Sequence, residues 1–146
     1  MLIKNKKASY EFFLLEEFVC GIVLVGTEIK SIRLGKASLV DSFCSFKDNE
    51  LFINNMHIAE YEFGNNFNHE PKRSRKLLLT KKELKKIKKK ITEKGLTIIP
   101  VNMFINKEGL CKLTISIAKG KKLHDKAESI KEKDIKRETN RQLSRL

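Results

Sequence analysis

This sequence predicts a mainly β domain with a few helices: a small closed or partly open antiparallel barrel, followed by a flexible basic C-terminal tail. Three observations carry that prediction. About six short runs rich in aromatic and β-branched residues are separated by turn formers, glycines stand where a sheet would curl, and the apolar pattern fails near Lys119. A length of 146 residues fits one domain, and 40% hydrophobic against 34% charged residues describes a globular chain with much solvated surface.

Taken in order, residues 10–18 (YEFFLLEEF) and 19–26 (VCGIVLVG) read as strands, with Gly21 and Gly26 marking bends or bulges. The period then changes. In TEIKSIRLG, Thr27 fits an N-cap, Ile29 and Ile32 fall on one face, and Gly35 fits the residue after a C-cap, so a two-turn helix is expected. SLVDSFCSF and ELFINNMHI flank Lys47, Asp48 and Asn49, which predicts a hairpin. Residues 60–75 (EYEFGNNFNHEPKRSR) read as a long loop ending in cations. The clearest helix lies in TKKELKKIKKKITEKG: Thr80 and Glu83 have capping-box spacing, Leu84, Ile87 and Ile91 form a narrow stripe, and Gly95 stops it. TIIPVNMFI and LCKLTISIA are two further strands about a turn at residues 106–109. After Lys119 the apolar residues are too sparse for a packed helix, so residues 119–146 are expected to be disordered alone and helical when bound, and residues 1–118 to form the body.

The charge is localised. Lys+Arg 31 against Asp+Glu 18 gives +13; twelve cations and two acids lie in residues 72–94, and ten cations and five acids in residues 119–146, which leaves the rest slightly acidic. A binding face for an anionic partner explains this, and a general need for solubility does not. Three cysteines, Cys20, Cys44 and Cys111, are odd in number and form no CxxC pair, so reduced thiols in a cytoplasmic protein are expected. The start, MLIKNKKASY, lacks the apolar segment of a signal peptide, and no run approaches the roughly 20 residues that span a bilayer.

Catalytic constellations are not legible. His57, His69 and His124 are scattered, no metal-ligand spacing occurs, and Glu16 and Glu17 would point to opposite faces of a strand as solvated acids. No enzyme, cofactor or metal is therefore expected. The basic features say more. PKRSRK offers Arg73 and Arg75, whose planar forks suit phosphate, with Lys76 beside them. The lysine-rich helix is less specific, because a solvated face looks the same. In KGKKLHDK, Gly120 allows close backbone approach, and its lysines and His124 suit phosphates and an unpaired base.

NKKASYEF, GIVLVGTEIKSIRLGKASLVDSF, NMHIAEY, RKLLLTKKEL, GLTIIPVNMF and AKGKKLHDK, in this order, resemble the family of tmRNA-binding proteins of bacterial trans-translation, the SsrA-binding or small protein B family. The resemblance implies an oligonucleotide-binding-fold-like barrel that binds the tRNA-like domain of tmRNA and enters stalled ribosomes with it. It also implies a tail that folds as a helix in the decoding centre and the empty mRNA channel. The partners expected are tmRNA, the ribosome and, through the tmRNA complex, elongation factor Tu, with the chain a monomer and no membrane involved. Residue by residue it assigns RNA contact to Asn5, Lys6 and Lys7, to Glu28, Lys30 and Ser31, and to Arg75, Lys76 and Leu78, beside the Arg73 read from its chemistry. It assigns ribosome contact to Gly120, Lys121, Lys122, His124, Asp125 and Lys126, with Lys131, Lys133, Lys136 and Arg137 as further tail cations. Two departures stand out. Val19-Cys20-Gly21 replaces the family's Glu-Ala-Gly, and Ala127 replaces a tail arginine.

The alternative is a generic basic barrel for single-stranded nucleic acid. It needs exposed aromatics, and with no tryptophan and most phenylalanines in apolar strand positions few are expected to be free. A membrane-surface module built on the lysine helix has too narrow an apolar stripe.

Overall fold

The computed structural model describes residues 2–121. Lys122, His124, Asp125, Lys126, Lys131, Lys133, Lys136 and Arg137, and with them the expected tail helix, lie outside the described residues. Nine strands and three helices follow in order: β1 (Leu2–Lys4), α1 (Ala8–Glu11), β2 (Phe12–Ile22), α2 (Gly26–Arg33), β3 (Ala37–Ser38), β4 (Phe43–Lys47), β5 (Glu50–Asn54), β6 (His57–Ile58), β7 (Arg75–Leu78), α3 (Lys81–Lys94), β8 (Thr97–Ile105) and β9 (Cys111–Gly120). A 3₁₀ turn, Asn65–Phe67, interrupts the loop before β7.

The pairings close on themselves. Strands run β8-β4-β5-β7-β2-β9, and β9 returns to β8, so six antiparallel strands form a ring. Closure removes the free edges that would otherwise template association. The thinnest link is β4 to β8, held by the single register pair Cys44↔Ile98. β1 extends the same edge of β8 further along, from Leu2↔Phe104 to Lys4↔Asn102. Bulges bend the two long strands, between Leu14 and Glu16 in β2 and between Pro100 and Asn102 in β8. A proline tolerated inside a strand at such an irregularity fits its missing N–H.

Local chemistry accounts for the connections. The β4–β5 turn places Asp48 and Asn49 at φ 53° and 67°, the left-handed pair of a tight hairpin. At the start of α3 the Thr80 hydroxyl accepts from the Glu83 N–H at 3.1 Å, and the Glu83 carboxylate accepts from the Thr80 N–H at 3.0 Å. Gly95 ends the helix at φ 63°. Ile87 is wholly buried, with Leu84 and Ile91 packed beside it, so the narrow stripe seats α3 on the core.

Several sequence expectations needed correction. Residues 10–26 do not form two strands: Tyr10 falls in α1, and β2 runs unbroken through Val19 and Gly21 to Ile22. Gly26 starts a helix and does not end a strand. Gly21 is in the strand because Leu78 of β7 lies on it; an added Cβ would meet the Leu78 side chain at 3.3 Å. Thr27 is inside α2 and not its N-cap, and its hydroxyl pairs with His69 Nδ1 at 2.8 Å. None of the nine phenylalanines is fully buried; the core is aliphatic, built from residues such as Leu51, Ile53, Met56, Leu113 and Ile115.

The cysteines are free thiols. Burial pushes Cys20 up to about 12 and Cys111 up to about 11, and raises Cys44 as well, so none is a nucleophile near neutral pH. Truncating Ile87 to alanine should destabilise the body by about 2–5 kcal/mol, since it empties the joint between helix and ring. Urea denaturation followed by circular dichroism measures this, and an unchanged midpoint would mean that α3 is not part of the cooperative unit.

Candidate nucleic-acid interface

The strongest local constraint is buried. Glu28 on α2 is fully inaccessible, and its carboxylate accepts from four donors: the Val25 N–H at 2.9 Å, Arg73 Nη2 at 2.7 Å, Arg73 Nε at 3.2 Å and Arg75 Nε at 2.6 Å. Arg75, also fully inaccessible, spends its remaining donors on the carbonyls of Met56 at 2.7 Å, Pro71 at 3.1 Å and Glu70 at 3.5 Å. Burial raises the Glu28 carboxyl, but hydrogen bonds from Arg73, the Val25 N–H and Arg75 outweigh it and hold the group below the ordinary carboxylate range. Burial lowers the Arg75 guanidinium, and the Glu28 partner partly offsets that. Ser31, one turn along α2, is equally buried. Glu28, Ser31 and Arg75 therefore have no surface to offer a partner in this structure. The Nε of Arg75 is closed on a carboxylate inside the protein and its fork on main-chain carbonyls.

Around that hub the surface is apolar and basic. Leu78 is 53% exposed over Gly21, and a groove of about 240 Å³ opens beside them, lined also by Leu24, Ile29, Leu110 and two cations, Arg33 and Lys112. Lys112 stands opposite Gly21 in the β2–β9 register, and Val19, 57% exposed, is two residues away on the same strand. The site thus gathers α2, β2, β7 and the β8–β9 turn. Reading along the chain found Leu78 and flagged Val19, but missed Arg33, Leu110 and Lys112, which adjoin them only through strand register. An exposed leucine flanked by cations suits the ribose and base face of a folded RNA, with the cations on its phosphates.

The remaining assigned residues are distributed. Asn5 ties the N-terminal segment to β8, its N–H donating to Val101 O and its Nδ2 to Pro100 O, both at 2.9 Å, while Lys6 and Lys7 are exposed. Lys30 is exposed and its ammonium lies 5.3 Å from the Tyr61 ring centroid. Lys76 reaches Glu50 at 3.6 Å across exposed surface. At the end of β9, Gly120 is exposed; Lys121 donates its N–H to Glu11 O at 2.8 Å and its Nζ to Ser9 O at 2.9 Å, over the Phe13 ring.

The lysine face of α3 is only partly committed. Lys86 and Lys90 hold Glu16 at 2.7 and 2.5 Å, and these hydrogen bonds, that of Lys86 first, keep its carboxyl below the ordinary range. Glu16 is therefore not the solvated acid expected. Lys88 donates to Asn49 Oδ1 at 2.8 Å, whereas Lys81, Lys82, Lys85, Lys89 and Lys94 are exposed. Among the described residues no group of three or more His, Cys, Asp or Glu side chains is placed to hold a metal ion, and no helix is long and apolar enough to cross a membrane.

Comparison with known proteins gives a consistent result. Residues 2–145 match the family model described as SmpB protein. The SsrA-binding protein of Bacteroides thetaiotaomicron is 57% identical over 143 residues, covering 98% of this chain and 95% of that protein. That of Flavobacterium johnsoniae is 54% identical over 139 residues, covering 95% and 92%. A solved chain described under "tmRNA-SmpB: a journey to the center of the bacterial ribosome" superposes with a TM-score of 0.72 at 40% identity, covering 88% of this chain and 94% of that one.

Replacing Glu28 by glutamine should cost about 3–5 kcal/mol, because it leaves Arg75 charged, buried and unpaired. The folded carboxyl titrates below its unfolded value of about 4.3. Its contribution is therefore complete above that value and is lost as pH falls through the folded pKa. Urea midpoints measured from pH 7 to pH 3 should show the wild-type advantage over Glu28→Gln shrinking at the acid end; a constant gap would mean the pair does not titrate.

Proposed function

Because the chain belongs to the SmpB protein family, we propose that it is an RNA-binding adaptor of trans-translation, one that binds the tRNA-like domain of tmRNA and delivers it to stalled ribosomes. Family membership across residues 2–145 carries the reading. The Leu78, Arg33 and Lys112 surface supports it by supplying apolar contact and paired cations on a rigid ring. The adaptor acts by binding, as a monomer in the cytoplasm, and meets elongation factor Tu through the tmRNA complex. Roughly five to eight phosphate contacts would give it a steep salt dependence.

Within this reading the assigned residues divide by burial. Glu28, Ser31 and Arg75 act indirectly, by fixing α2 and β7, since a fully enclosed group has no face for RNA. Leu78, Lys112 and Arg33 make the contact, with Arg73, 35% exposed at its side chain, at the margin. Val19 stands where the family's glutamate is expected, so this chain meets the RNA there with an apolar side chain. Asn5 positions Lys6 and Lys7. Gly120 and Lys121 start the ribosome-directed segment, with Lys121 anchored to α1.

One observation favours the second reading, a generic single-strand binder. Tyr10, Phe13, Phe43, Phe63 and Phe67 are all exposed, contrary to the expectation that few aromatics would be free. They are spread over α1, β2, β4 and the loop before β7, whereas a strand-tracking groove would align them.

Binding to the isolated tRNA-like domain, titrated with salt beside bulk tRNA and an unstructured RNA of equal length, separates the two. The adaptor should prefer the tmRNA domain by about tenfold or more, that is about 1.4 kcal/mol. Leu78→Asn and Lys112→Glu should each remove most of that preference, whereas Lys89→Glu should weaken all three RNAs alike. Equal wild-type affinity for the three would leave the generic binder as the better account. Truncation after Lys119 should leave binding to the tRNA-like domain largely intact and abolish tagging on stalled ribosomes in a reconstituted translation system. Loss of RNA binding in that truncation would overturn the division between body and tail.

A further inference from the structure

The loop between β6 and β7 has a composition unlike the rest of the chain. Residues 59–70 (AEYEFGNNFNHE) carry three exposed acids, Glu60, Glu62 and Glu70, and no lysine or arginine, in a protein of net charge +13. The same segment exposes two phenylalanines, Phe63 at 70% and Phe67 at 88%. Single apolar side chains at a surface need no explanation. Here the two rings share one loop with Tyr61, which meets Phe63 edge to face at 5.6 Å.

That loop is built, not slack. The Asn68 side chain closes it in both directions, accepting from the Tyr61 N–H at 2.9 Å and donating to Tyr61 O at 2.7 Å. Gly64 and Phe67 N–H groups donate to the carbonyls of Tyr61 and Gly64. Gly64 has no room for a side chain, since a Cβ would lie 2.6 Å from Asn68 Nδ2. His69 is buried, bonding Thr27 Oγ1 and, at 2.9 Å, Ile58 O. Arg75 holds the carbonyls of Glu70 and Pro71. The fold thus holds this loop in place and still leaves its rings in water, an arrangement that lowers the entropy cost of a later contact.

We propose that the loop at residues 59–70 is a second interaction surface, and that it receives a cationic protein surface whose arginine or lysine side chains stack on Phe63 and Phe67 and pair with Glu60 and Glu62. The chemistry is already present within the chain, where the Lys30 ammonium lies over the Tyr61 ring, Lys88 near Phe46 and Lys121 over Phe13. RNA is the poorer occupant, because the exposed acids Glu60, Glu62 and Glu70 outnumber the cations beside them, Lys72 on the same loop and Lys30 over Tyr61, while Arg73 is already paired with Glu28. The larger basic faces lie on α3 and the rim of the Leu78 groove. The surface adjoins the RNA contact through Lys30 and Arg73 but is not part of the groove, and it engages once the adaptor reaches a protein-containing assembly; to that extent it rests on the function proposed above.

Charge reversal tests the sign. Glu60→Lys with Glu62→Lys, two exposed positions, should lower affinity for purified stalled ribosomes carrying tmRNA by about tenfold while leaving binding to the isolated tRNA-like domain unchanged. Phe63→Ser with Phe67→Ser should act in the same direction, with thermal melting showing both proteins folded. Unchanged or tighter ribosome binding by the charge-reversed protein overturns the proposal, tighter binding identifying RNA as the occupant. A benzoylphenylalanine at position 67, irradiated in the same complex, should cross-link to a basic ribosomal protein. A cross-link to RNA, or back onto the chain itself, overturns the proposal. If the wild-type protein does not join stalled ribosomes with tmRNA at all, the adaptor reading has failed instead.

Discussion

One buried carboxylate constrains the functional end of this molecule. Glu28 draws together the first turn of α2, the strand β7 and the loop before it, through donors 3, 45 and 47 residues away. A buried ion pair is weak evidence for stability, because desolvating two charges offsets most of their attraction. Its consequence is selectivity among arrangements. Once Arg75 has left water, its donors find partners only where Glu28 and the carbonyls of Met56, Glu70 and Pro71 converge, so neighbouring registers of β7 leave a buried guanidinium unmatched.

From that constraint the exposed site follows by strand geometry. Arg75 and Leu77 point into the ring, and Lys76 and Leu78 point the other way, as alternation requires. Fixing Arg75 on Glu28 therefore fixes where Leu78 emerges, and Gly21 leaves it room to lie flat against β2. The same ion pair reaches in the other direction. Arg75 holds Glu70 and Pro71, so the acidic aromatic loop and the apolar basic groove hang on one pair of side chains.

What the sequence made legible was whatever has a short-range cause. The α3 capping box, the Asp48-Asn49 turn and the stop at Gly95 are decided within a few residues, and each stands in the structure as expected. The failures share a different cause. Arginines before an apolar run look like phosphate ligands, and nothing local shows that a glutamate 45 and 47 residues earlier has already paired with both of them. Gly21 reads as a break until Leu78 is placed on it. Glu16 reads as solvated until α3 brings Lys86 and Lys90 across. Phenylalanine in a strand pattern reads as core, but the fully buried interior is dominated by Ile, Leu and Met, with Phe18 and Phe46 packed half-buried against it and Phe13 and Phe43 exposed. Lys112 was invisible as a site residue because only the β2–β9 register sets it beside Gly21.

The distribution of charge carries the argument one step further. A net charge of +13 spread evenly would draw the protein to any polyanion in any orientation. Here two of the α3 lysines share the one carboxylate of Glu16, a third is turned onto Asn49 and Phe46, and residues 59–70 carry three acids and no lysine or arginine. The field is therefore directional: exposed lysines on one helix, two cations on the rim of an apolar groove, and an acidic aromatic loop that an RNA backbone avoids. Such a field orients the molecule before any contact forms. On the function proposed above, an RNA that approaches is steered to the groove, and the loop is left uncovered for whatever the RNA carries the protein to.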